Sequence, residues 1–424
     1  MPSTNRRRMM QISSIAPFIL SSSLTKASPN DKLQHAVIGL GNQGQRHCRE
    51  FQSLSDQCQI VAVCDVDPER LEEAASLTEL DSSDQAYQDY RELLANPAID
   101  TISIATPDHW HAKMALEAML AGKHVYLEKP CCHTIEEGLL LLRCAQQENK
   151  CVQHGTQSRS GSGIQEAMDF MRSGNMGPIR LAKAINHQRR GPIGKAEPED
   201  PPQGVDYDLW LGPAPEHPFT RNRWHYEWHW FWDYGSGDIG NDGIHQIDVA
   251  RWGLDVAQPK RVTGSGGQLF YNDDHETPDT QTIIYEFDGC HLVYEMRLWT
   301  DYKLEGHDNG TIFYGEEGRL EIGRDGCHVI WKNGDSEKIG GGSDITENMR
   351  NFLACVKDNR PDSLNAPLAE GFYSAALCHL GNISTRVQNQ LELAWPGCEI
   401  VNDAAAQALL GRDYRQGYEL PSVG

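Results

Sequence analysis

His35-Ala-Val-Ile-Gly-Leu-Gly-Asn-Gln-Gly-Gln-Arg-His47 decides the fold of this chain. The apolar Ala36-Val37-Ile38 reads as a buried strand, and Gly39-x-Gly41-x-x-Gly44 turns straight out of it towards a helix. Each glycine has a mechanical task in a dinucleotide site: Gly39 makes the tight turn, Gly41 lets the backbone approach a pyrophosphate, and Gly44 lets helix and strand pack closely. The helix N-terminus offers unpaired N–H groups and a partial positive charge to phosphates. A second apolar run, Ile60 to Cys64, ends in Asp65, about 20 residues past the last glycine, where a ribose-binding carboxylate belongs. A carboxylate accepts from a 2′-hydroxyl and repels a 2′-phosphate. Asp65 therefore favours NAD over NADP, with Arg70 close by in sequence keeping NADP as the lesser alternative.

Working outward, strands and helices alternate. Asp67-Pro68 starts a helix, Thr101 to Ala105 reads as a strand, and His109 to Ala121 as a helix. His124 to Leu127 is a strand, Thr134 and Glu137 form a capping box for a helix through Lys150, and Cys151 to His154 is a sixth strand. Such alternation over 35–155 predicts a doubly wound parallel sheet of Rossmann type, with ligands at the strands' carboxyl ends. From about residue 156 the pattern becomes period-two, as in Thr282 to Phe287, His291 to Met296 and Thr311 to Tyr314. Helical runs return at 346–358 and 369–390. The fold class expected is α/β: an N-terminal Rossmann domain (31–155) and a C-terminal α+β domain (156–424) with a large, mostly antiparallel sheet.

The net charge of −22 argues against nucleic acid and anionic membranes as partners. The 12 cysteines contain no C-x-x-C pair, and several sit in apolar runs as small core hydrophobes. Residues 1–30 read as outside the fold. Asn5-Arg6-Arg7-Arg8-Met9-Met10, a mildly apolar Ile12 to Leu24 and Thr25-Lys26-Ala27 resemble a twin-arginine export signal with a cleavage site. Removing it takes away four positive residues and no acids, so −22 becomes −26. The predicted location is the periplasm; a basic N-terminus on a cytoplasmic enzyme is the alternative.

Lys129 is the sharpest chemical candidate, because it ends the fifth strand at the edge where nicotinamide belongs, and an amine partly withdrawn from water there can trade a proton with a hydroxyl. The second is the glycine-rich run Gly235 to Trp252. Asn241 and His245, four apart, share a helix face, and Asp248 three further on is placed to orient the imidazole. The third is the aromatic run Arg223 to Tyr234, in which Trp228, Trp230 and Trp232 alternate as on one side of an extended segment. Flat rings there suit the apolar faces of a sugar. His109-Trp110-His111 lacks a third ligand at metal-site spacing, so no metal is expected.

Together these motifs resemble the glucose–fructose oxidoreductase / inositol dehydrogenase (Gfo/Idh/MocA) family over about residues 35–395. The residues that carry the likeness are Gly39 to Gly44, Ala105-Thr-Pro-Asp-His-Trp-His111, Glu128-Lys-Pro130 and Gly243 to Asp248. The resemblance implies NAD(P), held by Gly39, Gly41, Asn42, Gln43, Gly44, Asp65, Thr106, Pro107, His111 and Glu128. It implies Lys129 as acid/base with His245 and Asn241 as its catalytic partners. Gln157 and Arg159, in a family loop near nicotinamide, join Arg223, Trp228, Trp232 and Asp242 as expected substrate contacts. The family usually has aspartate four residues before the histidine, and this chain has Asn241 there, with Asp242 next door.

The expected function is an NAD(P)-dependent oxidoreductase acting on a hydroxyl or keto carbon of a sugar, cyclitol or glycoside, in a homo-oligomer (dimer or tetramer). One alternative is an NAD-dependent glycosidase working by transient oxidation and elimination. Such relatives resemble one another in replacing the motif lysine with a hydrophobe, whereas this chain keeps Lys129. The other is a non-catalytic sugar- or nucleotide-binding relative. Export would require a tightly bound cofactor, loaded before the protein leaves the cytoplasm.

Overall fold

The computed structural model describes residues 32–80 and 84–424; the export signal expected in 1–30 lies outside the described residues. The first sheet has β1 (Leu33–Ile38), β2 (Cys58–Cys64), β3 (Ala86–Tyr87), β4 (Thr101–Ile104), β5 (His124–Leu127) and β6 (Val152–His154), all parallel, in the order β3-β2-β1-β4-β5-β6. The connecting helices are α1 (Asn42–Ser53), α2 (Pro68–Thr78), α3 (Tyr90–Leu94), α4 (Asp108–Leu120) and α5 (Ile135–Gln147). Strand order reverses between β1 and β4, which opens a crevice at their carboxyl ends. Local chemistry sets these boundaries. Asp67 caps α2 ahead of Pro68, and Thr134 and Glu137 form a reciprocal capping box on α5. The α5 helix stops at Gln147, three residues short of the expected end, where Asn149 turns to positive φ.

The second sheet has ten strands: β7 (Leu181–Asn186), β8 (Arg261–Gly267), β9 (Thr280–Phe287), β10 (Cys290–Arg297), β11 (Asn309–Tyr314), β12 (Gly318–Gly323), β13 (Gly326–Trp331), β14 (Ser336–Gly340), β15 (Leu391–Ala394) and β16 (Glu399–Ile400). Their order is β14-β13-β12-β11-β7-β10-β9-β8-β15-β16, and every pairing is antiparallel except β7 with β10. The period-two pattern has its usual cause: Ile283, Tyr285 and Phe287 of β9 point into the core while Ile284 is exposed. The helices are α6 (Ser162–Arg172), α7 (Tyr207–Leu211), α8 (Ile244–Leu254), α9 (Ile345–Asp358) and α10 (Leu368–Val387); α6, α8 and α10 pack on this sheet.

The chain then returns to its first sheet. Ile345, Met349, Phe352 and Leu353 of α9 share one buried cluster with Val37, Leu40, Phe51 and Tyr126. The C-terminal tail closes over the outer side of α4 and α5. Arg412 donates to the buried Glu137 (2.9 Å), Lys113 donates to the Glu419 carbonyl (2.8 Å), and Tyr418 packs edge-on against Trp110. All 12 cysteines are unpaired, and only Cys290 is not fully buried.

Candidate active site

A cleft runs along the carboxyl ends of β1, β2, β4 and β5, where the strand order switches. Its floor is the glycine turn. Gly39 has φ of +83°, and a Cβ on Gly44 would overlap the Gly39 carbonyl, so the close helix–strand approach requires glycine there. No side chain caps α1 and its first turn carries no acid, so its leading amides face the cleft unanswered. A Cβ on Gly41 would meet one group, the guanidinium of Arg70. Uncapped amides, an open backbone and a flexible cation form a donor set that fits a pyrophosphate. Asp65 also borders the cleft, its carboxylate accepting from the backbone N–H of Leu40 (2.6 Å) and Asp67 (3.0 Å). It therefore braces the turn it faces.

Two further loops line the same cleft. Thr106 and Pro107 follow β4, and Glu128 and Lys129 follow β5. His111, on the first turn of α4, ties them together: its ring nitrogens reach the carbonyl oxygens of Pro130 (2.6 Å) and Thr106 (2.8 Å). Glu128 accepts from His47 (3.0 Å), Gln43 (2.7 Å) and the Lys129 backbone N–H (3.2 Å), which joins α1 to the lysine loop. Burial alone would raise its carboxyl; the His47 bond, with the His47, Lys129 and Gln43 contacts, holds it well below the usual carboxylate range.

Across the cleft stands Asn241. Residues Ile239–Gly243 form a π-helical turn that leads into α8. A Cβ on Gly240 would overlap Ser236 and touch Pro130, so glycine lets this turn lie against the lysine loop. The Asn241 Oδ1 sits 3.4 Å from Lys129 Nζ. The imidazole of His245, the second residue of α8, makes no hydrogen bond among the described residues and does not border the cleft; burial and then the Lys129 charge push its pKa down to about 4. Asp248 does not orient that imidazole. It is fully buried and accepts from Arg159 (2.9 Å) and Ser374 (2.7 Å).

That ion pair also removes Arg159 from the cleft, since its guanidinium spans Asp248 and Glu370 (3.0 Å). Gln157 opens the same 3₁₀ turn, Gln157–Ser160, and is also off the cleft. The aromatic run is not extended: Arg221–Arg223 and Glu227–Trp230 are 3₁₀ turns, so alternate tryptophans do not share a face. Trp228 borders the cleft and stacks on His229 (3.6 Å). Trp230 is buried with its Nε1 donating to Glu227 (2.7 Å), and Trp232 lines a separate cavity under the Arg386 guanidinium (4.7 Å). Arg223 stacks on Phe231 (4.8 Å) instead of entering the cleft. Asp242 accepts from Asn309 (2.6 Å), outside the cleft, and burial raises its carboxyl pKa.

The cleft also has a roof that no local sequence pattern announces. Residues 204–229 cross above the Asp65 side of the cleft as a strap. The Asp206 N–H donates to Val66 O (3.2 Å), Gln88 Nε2 donates to Gly204 O (2.8 Å), and His225 Nε2 lies 3.5 Å from Asp67. Leu209, Trp210 and Trp224 supply its apolar underside, with Trp210 stacked on Tyr207 (5.6 Å). Its trace in the sequence is the cluster of aromatics from Tyr207 to Tyr234, of which only the run Arg223 to Tyr234 drew a reading above. Among the described residues no cluster of histidine, cysteine and acid side chains has the arrangement of a metal site.

Comparison with known proteins agrees with this geometry. Residues 33–156 match the oxidoreductase family with an NAD-binding Rossmann fold (Gfo/Idh/MocA), and residues 191–420 match that family's C-terminal alpha/beta domain. An uncharacterised oxidoreductase of Synechocystis is 31% identical over 309 residues, covering 70% of this chain and 73% of that protein. A glycosyl hydrolase family 109 protein of Shewanella pealeana is 30% identical over 163 residues, covering 36% of this chain and 35% of its own. In fold the chain is similar to the WlbA dehydrogenase of Chromobacterium violaceum, solved with NADH and UDP-GlcNAcA (TM-score 0.68, 21% identity, 86% of this chain and 97% of that one).

Proposed function

The chain belongs to the Gfo/Idh/MocA family of NAD-dependent oxidoreductases, and from that premise we propose that it interconverts a hydroxyl and a keto group on a sugar, cyclitol or glycoside. The observation that carries this reading is Lys129: its amine stands just past the end of β5, in the cleft of the glycine turn, 3.4 Å from the Asn241 carbonyl oxygen. Bound NAD supplies the hydride acceptor or donor. Lys129 Nζ exchanges the proton of the reacting hydroxyl, and Asn241 Oδ1 orients the amine. His245, set back from the cleft, is held neutral at neutral pH by burial and by Lys129, so it adds no second cation behind the amine. Trp228 and His229 offer a flat apolar wall beside these polar groups, which suits a sugar ring. Purified protein screened against sugars, polyols and glycosides, with nicotinamide absorbance as readout, tests the reading. Absorbance change with at least one carbohydrate is expected; none with any, together with no bound nucleotide, would defeat it.

The partial match to a glycosyl hydrolase favours a second reading, glycoside cleavage through transient oxidation. Lys129 weighs against it. Release of free sugar from a chromogenic glycoside without net NADH would reverse the order.

The twin-arginine-like N-terminus supports export to the periplasm, where free NAD is scarce. The strap over the Asp65 side of the cleft supports retention of the nucleotide between turnovers, with a second substrate recycling it. Nucleotide that survives dialysis is expected, and rapid complete loss would sink this idea. The exposed Leu181 and Ile284 on the open face of the ten-stranded sheet support a homo-oligomer, which sedimentation would check.

A further inference from the structure

Behind Asn241 lies a carboxylate with no part in the expectations above. Asp238, at the start of the π turn, is fully buried. It accepts three bonds: from Arg190 Nε (3.0 Å), from Asn186 Nδ2 (2.9 Å) and from Asn241 Nδ2 (2.9 Å). Asn241 Nδ2 also donates to the Tyr226 hydroxyl (3.2 Å), so the amide nitrogen is committed on the side away from the lysine. Turning the amide over would set a carbonyl oxygen against a carboxylate and an NH₂ against an ammonium, both repulsive. The carboxylate thus decides which end of Asn241 faces Lys129.

We infer that Asp238 is a positioning residue for Lys129: it fixes the Asn241 amide so that Oδ1 holds Nζ, and it supplies, one residue removed, the negative charge that an aspartate at position 241 would carry. The inference rests on Lys129 as the proton-exchanging group. Burial pushes the Asp238 carboxyl up, Arg190 opposes that push, and Asp242 adds to it. The charged and titratable groups facing Asp238 are Arg190, Asp242 on the same turn, Tyr226 of the roof and Tyr294 of β10. Those facing Lys129 are Glu128, Asp108, Asp242, His229 and His245. Asp238 and Asn241, three apart, are neighbours on this turn, and Gly240 lets its backbone rest on Pro130 of the lysine loop.

The test compares kcat and KM across pH for the full protein, Asp238→Asn, Asn241→Asp and the double variant, with folding followed by circular dichroism. Asp238→Asn is expected to lower kcat roughly 10- to 100-fold through misplacement of the amine. Losing a negative neighbour disfavours the ammonium, so the limb of the kcat profile set by the lysine moves to lower pH by roughly half to one unit. In the double variant the charge is restored next to the amine, and most of kcat and the original limb return. If Asp238→Asn does not fold, Asn241→Leu, which cuts the relay and leaves Asp238 charged on Arg190, is expected to show the same loss of kcat with a smaller displacement of the limb, since the negative charge stays in place. An unchanged kcat and limb in a folded Asp238→Asn or Asn241→Leu, or a folded double variant with no recovery, overturns the inference. Full activity in Lys129→Ala would instead remove the reading on which it rests, and leaves a separate signature because the limb itself would be absent from every profile.

Discussion

Arg159 shows what a single side chain's partners can do to its role. Its placement in the loop after β6 suggested substrate, yet its guanidinium is bonded to Asp248 and Glu370 with almost no exposure. Removing one member of a buried pair leaves the other charge uncompensated, so Arg159→Met is expected to destabilise the protein by about 3–5 kcal/mol. Urea unfolding measures this, and a loss below about 1 kcal/mol would show that the pair is not the brace described. Asp248 was mistaken for the partner of His245 for a physical reason: helical spacing reports which residues share a face, and it says nothing of a guanidinium arriving from 89 residues away. The placement of Lys129, Gly39, Asp65 and Thr106 along the cleft was legible because it follows from position at a strand end, which local pattern does reveal.

At the scale of elements, the strand–helix alternation and the capping box of α5 were legible to within a few residues, because both are local chemistry. Thr134→Ala is expected to cost about 1 kcal/mol, read as a lowered melting temperature with turnover unchanged. Gly44→Ala should be far harsher. Its methyl group would displace the Gly39 carbonyl, so nucleotide binding, followed by quenching of tryptophan fluorescence, should be lost even where the fold survives. The aromatic run misled because two 3₁₀ turns at Arg221–Arg223 and Glu227–Trp230 replace the extended geometry that alternation suggests. The π turn at Ile239–Gly243 was hidden for a related reason: a helical period assumes 3.6 residues per turn, and a wider turn breaks it.

For the whole molecule, the parallel and antiparallel halves were readable from their hydrophobic periods, but three long-range arrangements were not. The α9 helix covers the first sheet, the tail seals α4 and α5, and the strap roofs the cleft; each pairs residues too distant in sequence for any local pattern to join. Burial also gives the molecule a shared pH response. His109 and His154 are pushed down to about 3 and His245 to about 4, chiefly by desolvation. Their ordinary value is 6.5, so between pH 6.5 and about 4 the unfolded chain takes up protons that the folded chain refuses. Stability is therefore complete above pH 6.5 and falls as the pH drops through this window. Thermal melts at pH 7.5, 6 and 5 should show a progressive decline, and a melting temperature that rose on acidification would contradict the assignment.

The most direct test of the central claim, that Lys129 exchanges a proton with a carbohydrate hydroxyl in the cleft of the glycine turn, is nicotinamide turnover by Lys129→Ala at saturating nucleotide, on a sugar the unaltered protein accepts. The account predicts nucleotide binding kept and kcat reduced about 100- to 10,000-fold, the usual contribution of a positioned acid–base group. Turnover equal to that of the unaltered protein would contradict it.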